Sequence, residues 1–145
     1  KNTLSESLSE QDTMLVYLQP TSPMRNSLHI DTALLGMEHA NISSLVSVIK
    51  CISSPYKAFK LNEDDMLQSL FGERLSNSNR QDLPQCYYPN GAIYAFMLKD
   101  FKNGGGFPSD GAFPFVMTDR DSGDIDSEDD LNAVEKIMEK SNGKF

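Results

Sequence analysis

The sequence predicts an α/β fold whose strands run mostly parallel, and three observations carry that expectation. Short apolar runs with β-branched and aromatic members recur at residues 13–18 (TMLVYL), 44–49 (SLVSVI), 91–96 (GAIYAF) and 113–117 (FPFVM). Between the first two lies a stretch of helical spacing, with Ile30, Leu34 and Met37 on one face and Ala33 beside them. The order strand, loop, helix, strand describes a βαβ unit with a right-handed crossover and parallel strands. A chain of 145 residues suits one domain with a single core.

Residues 1–11 read as the tail of a helix, with Leu4 and Leu8 one turn apart; they are too polar and acidic for a signal peptide. Residues 13–18 read as a buried strand. It stops at residues 19–23 (QPTSP), because two prolines in four residues cannot continue a central strand. Ser27 is the expected N-cap of the helix, with Asp31 in its first turns and Asn41 at its end. A second strand covers 44–49.

Residues 50–89 are less periodic, with Pro55, the acidic turn Glu63-Asp64-Asp65 and a polar run at 76–82. They read as an excursion from the sheet, a hairpin plus an irregular arm. A third strand covers 91–96, a flexible glycine loop 104–106, and a short strand 113–117. The last helix starts near Ser127, where Asp130 three residues on makes a capping box. Its apolar face is Leu131, Val134, Ile137 and Met138, and Gly143 is its stop.

The formal net charge of −8 and the lack of a basic stripe argue against a nucleic-acid partner. No apolar run approaches the roughly 20 residues that cross a membrane, so no membrane partner is expected. The two cysteines, Cys51 and Cys86, show neither CxxC spacing nor a histidine cluster. That argues against zinc and for a reduced, cytoplasmic protein. An acidic protein still binds a nucleotide where a metal ion bridges its carboxylates to the phosphates.

The acidic stretch after Met117 is the most informative feature: Asp119, Asp121, Asp124, Asp126, Glu128, Asp129 and Asp130. Such a run is commonly a solvated face. Asp124 and Asp126, however, are two residues apart between a strand and a helix start, so in extended backbone they project to one side. Two carboxylates so placed suit Mg²⁺, which completes its shell with water and phosphate oxygens. Glu128, Asp129 and Asp130 read instead as helix-capping acids. Gln19 stands at the C-terminal end of a strand, the edge where open α/β sheets bind ligands, although QPTSP also reads as a rigid turn. Residues 87–91 (YYPNG) contain a common turn pair. Lys57 and Arg80 are either surface charges or anion holders. His29 and His39 show no acid or nucleophile partner, and the seven methionines read as core filler.

Four segments, LQPTSPMR at 18–25, RQDLPQ at 80–85, PNGAIY at 89–94 and DIDSEDD at 124–130, together resemble the N-acylneuraminate cytidylyltransferases, or CMP-sialic acid synthetases, in order and approximate spacing. The resemblance runs from Thr13 almost to the end. It implies a Rossmann-like three-layer sandwich with a mostly parallel sheet and a protruding dimerisation arm, here residues 50–89, within one partial domain spanning 1–145. It implies a reaction in which the anomeric hydroxyl of a nine-carbon acid sugar attacks the α-phosphate of CTP, giving CMP-sugar and pyrophosphate with Mg²⁺ as cofactor. By position, Asp124 and Asp126 correspond to metal-binding and catalytic carboxylates. Gln19, Lys57, Arg80, Asn90, Tyr94 and Phe107 correspond to substrate contacts. CTP, the acid sugar and a second copy of the chain are the implied partners.

Two departures stand out. Tyr88 precedes PNG where the family often has arginine. The family's first strand and its basic, glycine-containing loop for the triphosphate have no counterpart in the sequence, so this polypeptide alone is expected to lack transferase activity. Two other readings stay open: a cytidylyltransferase for a legionaminic, pseudaminic or keto-deoxyoctonate sugar, and a non-catalytic fragment that binds sugar or metal and dimerises.

Overall fold

A computed structural model describes residues 13–104, 106–108 and 110–142. The expected helix tail at 1–11 and the stop at Gly143 lie outside them. The chain divides into two compact units, Lys1–Val48 with Pro89–Phe145, and Ile49–Tyr88.

The first unit is built on a four-stranded sheet. In chain order its strands are β1 (Met14–Tyr17), β2 (Ser44–Lys50), β5 (Tyr87–Met97) and β6 (Phe113–Val116), and they lie side by side as β1-β5-β2-β6. β1 pairs antiparallel with β5, Tyr17 opposite Tyr94, and β2 pairs parallel with β6. The sheet is thus mixed α/β rather than mostly parallel, and β1 does not neighbour β2. The reason is burial. β5 hides Asn90, Gly91, Ala92, Ile93, Ala95 and Phe96 and so takes an interior place, while β1 lies outside it. Met14 and Val16 are 41% and 39% exposed, so β1 is an edge and not the buried strand its apolar run predicts. A short apolar run does not by itself distinguish an edge from a centre.

Helix α1 (Ser27–His39) connects β1 to β2. Its cap is Asn26 and not Ser27: Asn26 Oδ1 accepts the His29 N–H at 3.0 Å, and His29 Nδ1 accepts the Asn26 N–H at 3.4 Å. Asn41, just past its end, holds the left-handed φ of 54° that asparagine tolerates there. Ala33 and Met37 turn inward to a core with Leu45, Ala92, Ile93, Ala95 and Met117. Each large apolar side chain so buried contributes roughly 1.5–3 kcal/mol. Gly36 lets α1 approach β6, because a Cβ there would meet the Phe113 ring at 2.7 Å.

Helix α3 (Leu98–Gly104) runs into the glycines expected to be loop, and α4 (Glu128–Asn142) closes the unit. Ser127 and Asp130 form the predicted reciprocal cap: Asp130 Oδ2 accepts the Ser127 N–H at 2.9 Å, and Ser127 Oγ accepts the Asp130 N–H at 3.3 Å. Of its expected apolar face, Val134 is buried, while Leu131 and Met138 stay largely exposed.

The second unit carries an antiparallel hairpin of β3 (Phe59–Leu61) and β4 (Leu67–Ser69), a short helix α2 (Glu73–Ser76) and two single turns at Pro55–Lys57 and Arg80–Asp82. Asn62 Oδ1 accepts the N–H groups of Asp64 and Met66 at 3.0 and 2.8 Å, fixing the hairpin turn. Its apolar side chains are largely outward, with Leu67 71% and Met66 65% exposed.

Candidate functional site at one end of the four-stranded sheet

The loop after β1 is held by a network that begins in the sequence. Ser22, 1% exposed, lies where the prolines prevent regular structure, and its Oγ donates to the Asn90 carbonyl at 3.4 Å. Arg25 reaches back with Nη1 to the Gln19 carbonyl at 3.1 Å and the Ala92 carbonyl at 2.7 Å. The guanidinium fork thereby ties the loop to β5. Gly91 has a φ of 74°, and a Cβ on it would collide with Gln19 Oε1, so glycine is what allows the Gln19 side chain to lie against β5.

Asn90 is the centre of the frame. Its Oδ1 accepts from Ser47 Oγ at 2.6 Å, and its Nδ2 donates to Ser122 Oγ at 2.9 Å. Ser47 Oγ in turn accepts the Ile93 N–H at 2.7 Å. At 8% exposure, Asn90 has both ends of its amide engaged by protein, as a buried polar side chain requires.

The acid loop joins this frame from the other side. The Ile125 N–H donates to the Thr21 carbonyl at 2.9 Å, which fastens Asp124-Ile125-Asp126 to the QPTSP loop. Gly123 packs under Val134 and Met24, 3.1 and 3.4 Å from its Cβ position. Asp124 and Asp126 are exposed, and no hydrogen bond or ion pair among the described residues engages either carboxylate. Asp121 does have partners: Thr118 Oγ1 donates to it at 2.6 Å, and His29 Nε2 lies 3.9 Å away. His29 therefore has an acid beside it that spacing along the sequence did not reveal.

Aromatic rings complete the end of the sheet. Tyr94 and Phe107 lie 5.0 Å apart at their centroids, and Tyr17 lies 6.3 Å from the first and 5.2 Å from the second. Burial, then the Tyr17 hydroxyl, then the charge of Asp124 raise the Tyr94 phenol above its ordinary value. Tyr94 thus stays protonated, a donor of hydrogen bonds near a carboxylate.

Six of the eight residues singled out from the sequence, Gln19, Asn90, Tyr94, Phe107, Asp124 and Asp126, belong to this unit. Lys57 and Arg80 belong to the other. There Lys57 Nζ donates to the Ser76 carbonyl at 3.3 Å, and Arg80 Nη2 bonds the Ile52 carbonyl. Sequence reading missed Arg25, Ser22, Ser47 and Tyr17. Ser47 had a signal, a hydroxyl in the middle of an apolar run, and Tyr17 two residues before Gln19 had none.

Among the described residues, no three His, Cys, Asp or Glu side chains gather as a metal cage. A two-carboxylate pair still fits an ion that takes the rest of its shell from water and phosphate. A groove of about 840 Å³ lies elsewhere, lined by Met14, by Leu34 and Leu35 of α1 and by Ile42 beyond it; it holds none of the predicted site residues. No helix is long and apolar enough to cross a membrane among the described residues.

No family model matches the chain. It is 29% identical over 122 residues to the N-acylneuraminate cytidylyltransferase of Streptococcus agalactiae serotype V, covering 84% of this chain and 29% of that protein. It is 30% identical over 126 residues to the N-acylneuraminate cytidylyltransferase of Escherichia coli O18:K1:H7, covering 86% and 30%. The post-translational flagellin modification protein B of Campylobacter coli is 27% identical over 131 residues, covering 88% and 54%. The chain therefore spans about a third of the length of the cytidylyltransferases it matches. Over that span, with its QPTSP loop, its PNG strand and its DID loop gathered at one end of a sheet, the chain is similar to the N-acylneuraminate cytidylyltransferases.

Proposed function

We propose that this chain supplies the acid-sugar side and the metal carboxylates of a cytidylyltransferase that joins a nine-carbon acid sugar to CMP from CTP, releasing pyrophosphate. The observation that carries the reading is the Ile125 N–H bond to the Thr21 carbonyl, 2.9 Å long, which ties the carboxylate pair to the loop bearing Gln19. Asp124 and Asp126 are the residues to hold Mg²⁺. When bound, the ion neutralises phosphate charge as the leaving pyrophosphate develops.

The chain's own groups supply position. Tyr94 and Phe107 offer an apolar wall to a sugar face, with the Tyr94 hydroxyl as a donor beside it. Gln19 presents an amide from a loop anchored by Arg25. Asn90 acts through the frame, since its amide is engaged by Ser47 and Ser122. Asp124, next to Tyr94, is also placed to draw a proton from a sugar hydroxyl. Positioning of this kind supplies much of the rate in phosphoryl-type transfer.

The finer architecture belongs to the same proposal: a Rossmann-like three-layer sandwich, supported by the parallel β2–β6 pair and by α1 packing on β6. The unit Ile49–Tyr88 is proposed as a dimerisation arm, with Lys57 and Arg80 on it as candidate substrate contacts. Its outward Met66, Leu67, Leu70 and Phe71 support this, since a two-stranded hairpin with exposed apolar side chains is marginal alone.

The test is calorimetry of the 145-residue chain with an N-acylneuraminate, together with pyrophosphate release from CTP by a longer polypeptide that carries it. Sugar binding that disappears in Tyr94→Ala and Phe107→Ala, and turnover that disappears in Asp124→Asn, support the reading. Absence of both binding and turnover overturns it. The same assays with legionaminic, pseudaminic and keto-deoxyoctonate sugars identify the substrate, and a chain that dimerises without turnover is the non-catalytic alternative.

A further inference from the structure

The two cysteines of the sequence stand at the two ends of the unit Ile49–Tyr88, and the fold brings them together. The Cys51 N–H donates to the Cys86 carbonyl at 2.9 Å. A direct backbone hydrogen bond holds the two residues side by side, close to the Cα range of roughly 4.4–6.8 Å that a disulfide spans. Both also line one small cavity of about 140 Å³, with Ile52, Ser54, Arg80 and Leu83. Neither is bridged.

Their surroundings differ. Cys51 is 7% exposed, and burial first, then the neighbouring Cys86, push its thiol above the ordinary value, against a lowering hydrogen bond from Tyr88. Cys86 is partly exposed, its Sγ 3.5 Å from the Pro84 carbonyl. Cys86 is thus the more open of the two residues and Cys51 the enclosed one.

We propose that Cys51 and Cys86 form a thiol–disulfide exchange site that takes a low-molecular-weight disulfide as its oxidant and closes a reversible staple at the base of this unit. The Cys86 thiolate attacks one sulfur of the reagent, the reagent's S–S bond breaks, and one thiolate leaves and takes up a proton. Cys51, after giving its proton to solvent, attacks the Cys86 sulfur of the mixed disulfide and expels the second thiolate. Two protein thiols are oxidised and one disulfide is reduced to two thiols. The bridge closes the loop of residues 52–85, which includes Lys57 and Arg80, and restrains it mainly by limiting the unfolded chain.

The experiment treats the 145-residue chain with excess oxidised glutathione, blocks residual thiols with iodoacetamide and maps the peptides by mass. The expected result is an unblocked chain whose Cys51 and Cys86 peptides are joined, which dithiothreitol separates. Its melting temperature rises by roughly 5 °C or more over the reduced form. In Cys51→Ala the reaction halts at a glutathione adduct on Cys86. A lasting adduct on Cys86 beside a free Cys51 in the unaltered chain overturns the proposal. So does full blocking of both thiols after treatment, or a bridge between two chains at high dilution. None of these outcomes depends on the sugar-activating reading.

Discussion

The acidic stretch after Met117 divides into two kinds of carboxylate. Asp121 and Asp130 serve the fold: the first is gripped by Thr118 and lies beside His29, and the second caps α4 through Ser127. Asp124 and Asp126 lie between them, exposed, with neither carboxylate engaged among the described residues, yet the backbone that carries them is fastened to the Thr21 carbonyl. Composition treats these residues as one solvated run. The structure separates acids that hold the chain from acids that the chain holds out, and the second kind is what a ligand site requires.

The largest expected effect tests that separation directly. Replacing Asp124 and Asp126 together by Asn lowers Mg²⁺ affinity by about tenfold or more in titration calorimetry. The urea midpoint stays nearly unchanged, since exposed side chains without partners contribute little to stability. Undiminished Mg²⁺ binding would dissolve the contrast.

The same end of the sheet can be broken without touching a carboxylate. Gly91→Ala is expected to cost about 2 kcal/mol in chemical unfolding, combining an unfavourable φ with the collision against Gln19. Adding Gln19→Ala removes the collision and leaves only backbone strain of roughly 1 kcal/mol. Equal stability of the single and double variants would show that Gln19 does not lie against β5.

The structural acids give smaller effects of opposite kind. Ser127→Ala removes the α4 cap and is expected to cost about 1 kcal/mol while leaving Mg²⁺ binding intact. Asp130 carries a pH signature. The Ser127 hydroxyl, with the backbone N–H groups of Ser127 and Asp126, holds its carboxyl below the usual aspartate value. Its contribution is therefore present above the unfolded pKa and fades as pH falls through the lower folded value. Asp130→Asn should flatten that acid limb in melting curves taken from neutral to acid pH, and an unchanged limb would sink the assignment.

Much of this division was legible in the sequence, and its failures have physical causes. The Ser127–Asp130 box and the exposed DID pair follow from local spacing, where a few residues determine the geometry. The strand order does not, because the place of β5 between β1 and β2 depends on how much apolar surface each run can bury on both faces. Arg25 shows no sign of its role in the sequence, because the Ala92 carbonyl it bonds comes to it only in the fold, across a long separation in sequence. Asn26 displaces Ser27 as cap because His29 returns its hydrogen bond, a reciprocity that cap preference alone does not rank. Tyr17 joins Tyr94 only because β1 and β5 pair antiparallel in that register.

The two rims of the four-stranded sheet are not equally guarded. On β6, Pro114 removes a donor from the outer strand. On β1, the sequence MLVY carries neither proline nor charge, and Met14 opens onto the broad groove along α1. Natural sheets blunt such a margin to keep foreign strands from adding to it. Among the described strands β1 is thus the less guarded margin, and Val16→Lys is expected to lower association in concentrated solution, read by light scattering.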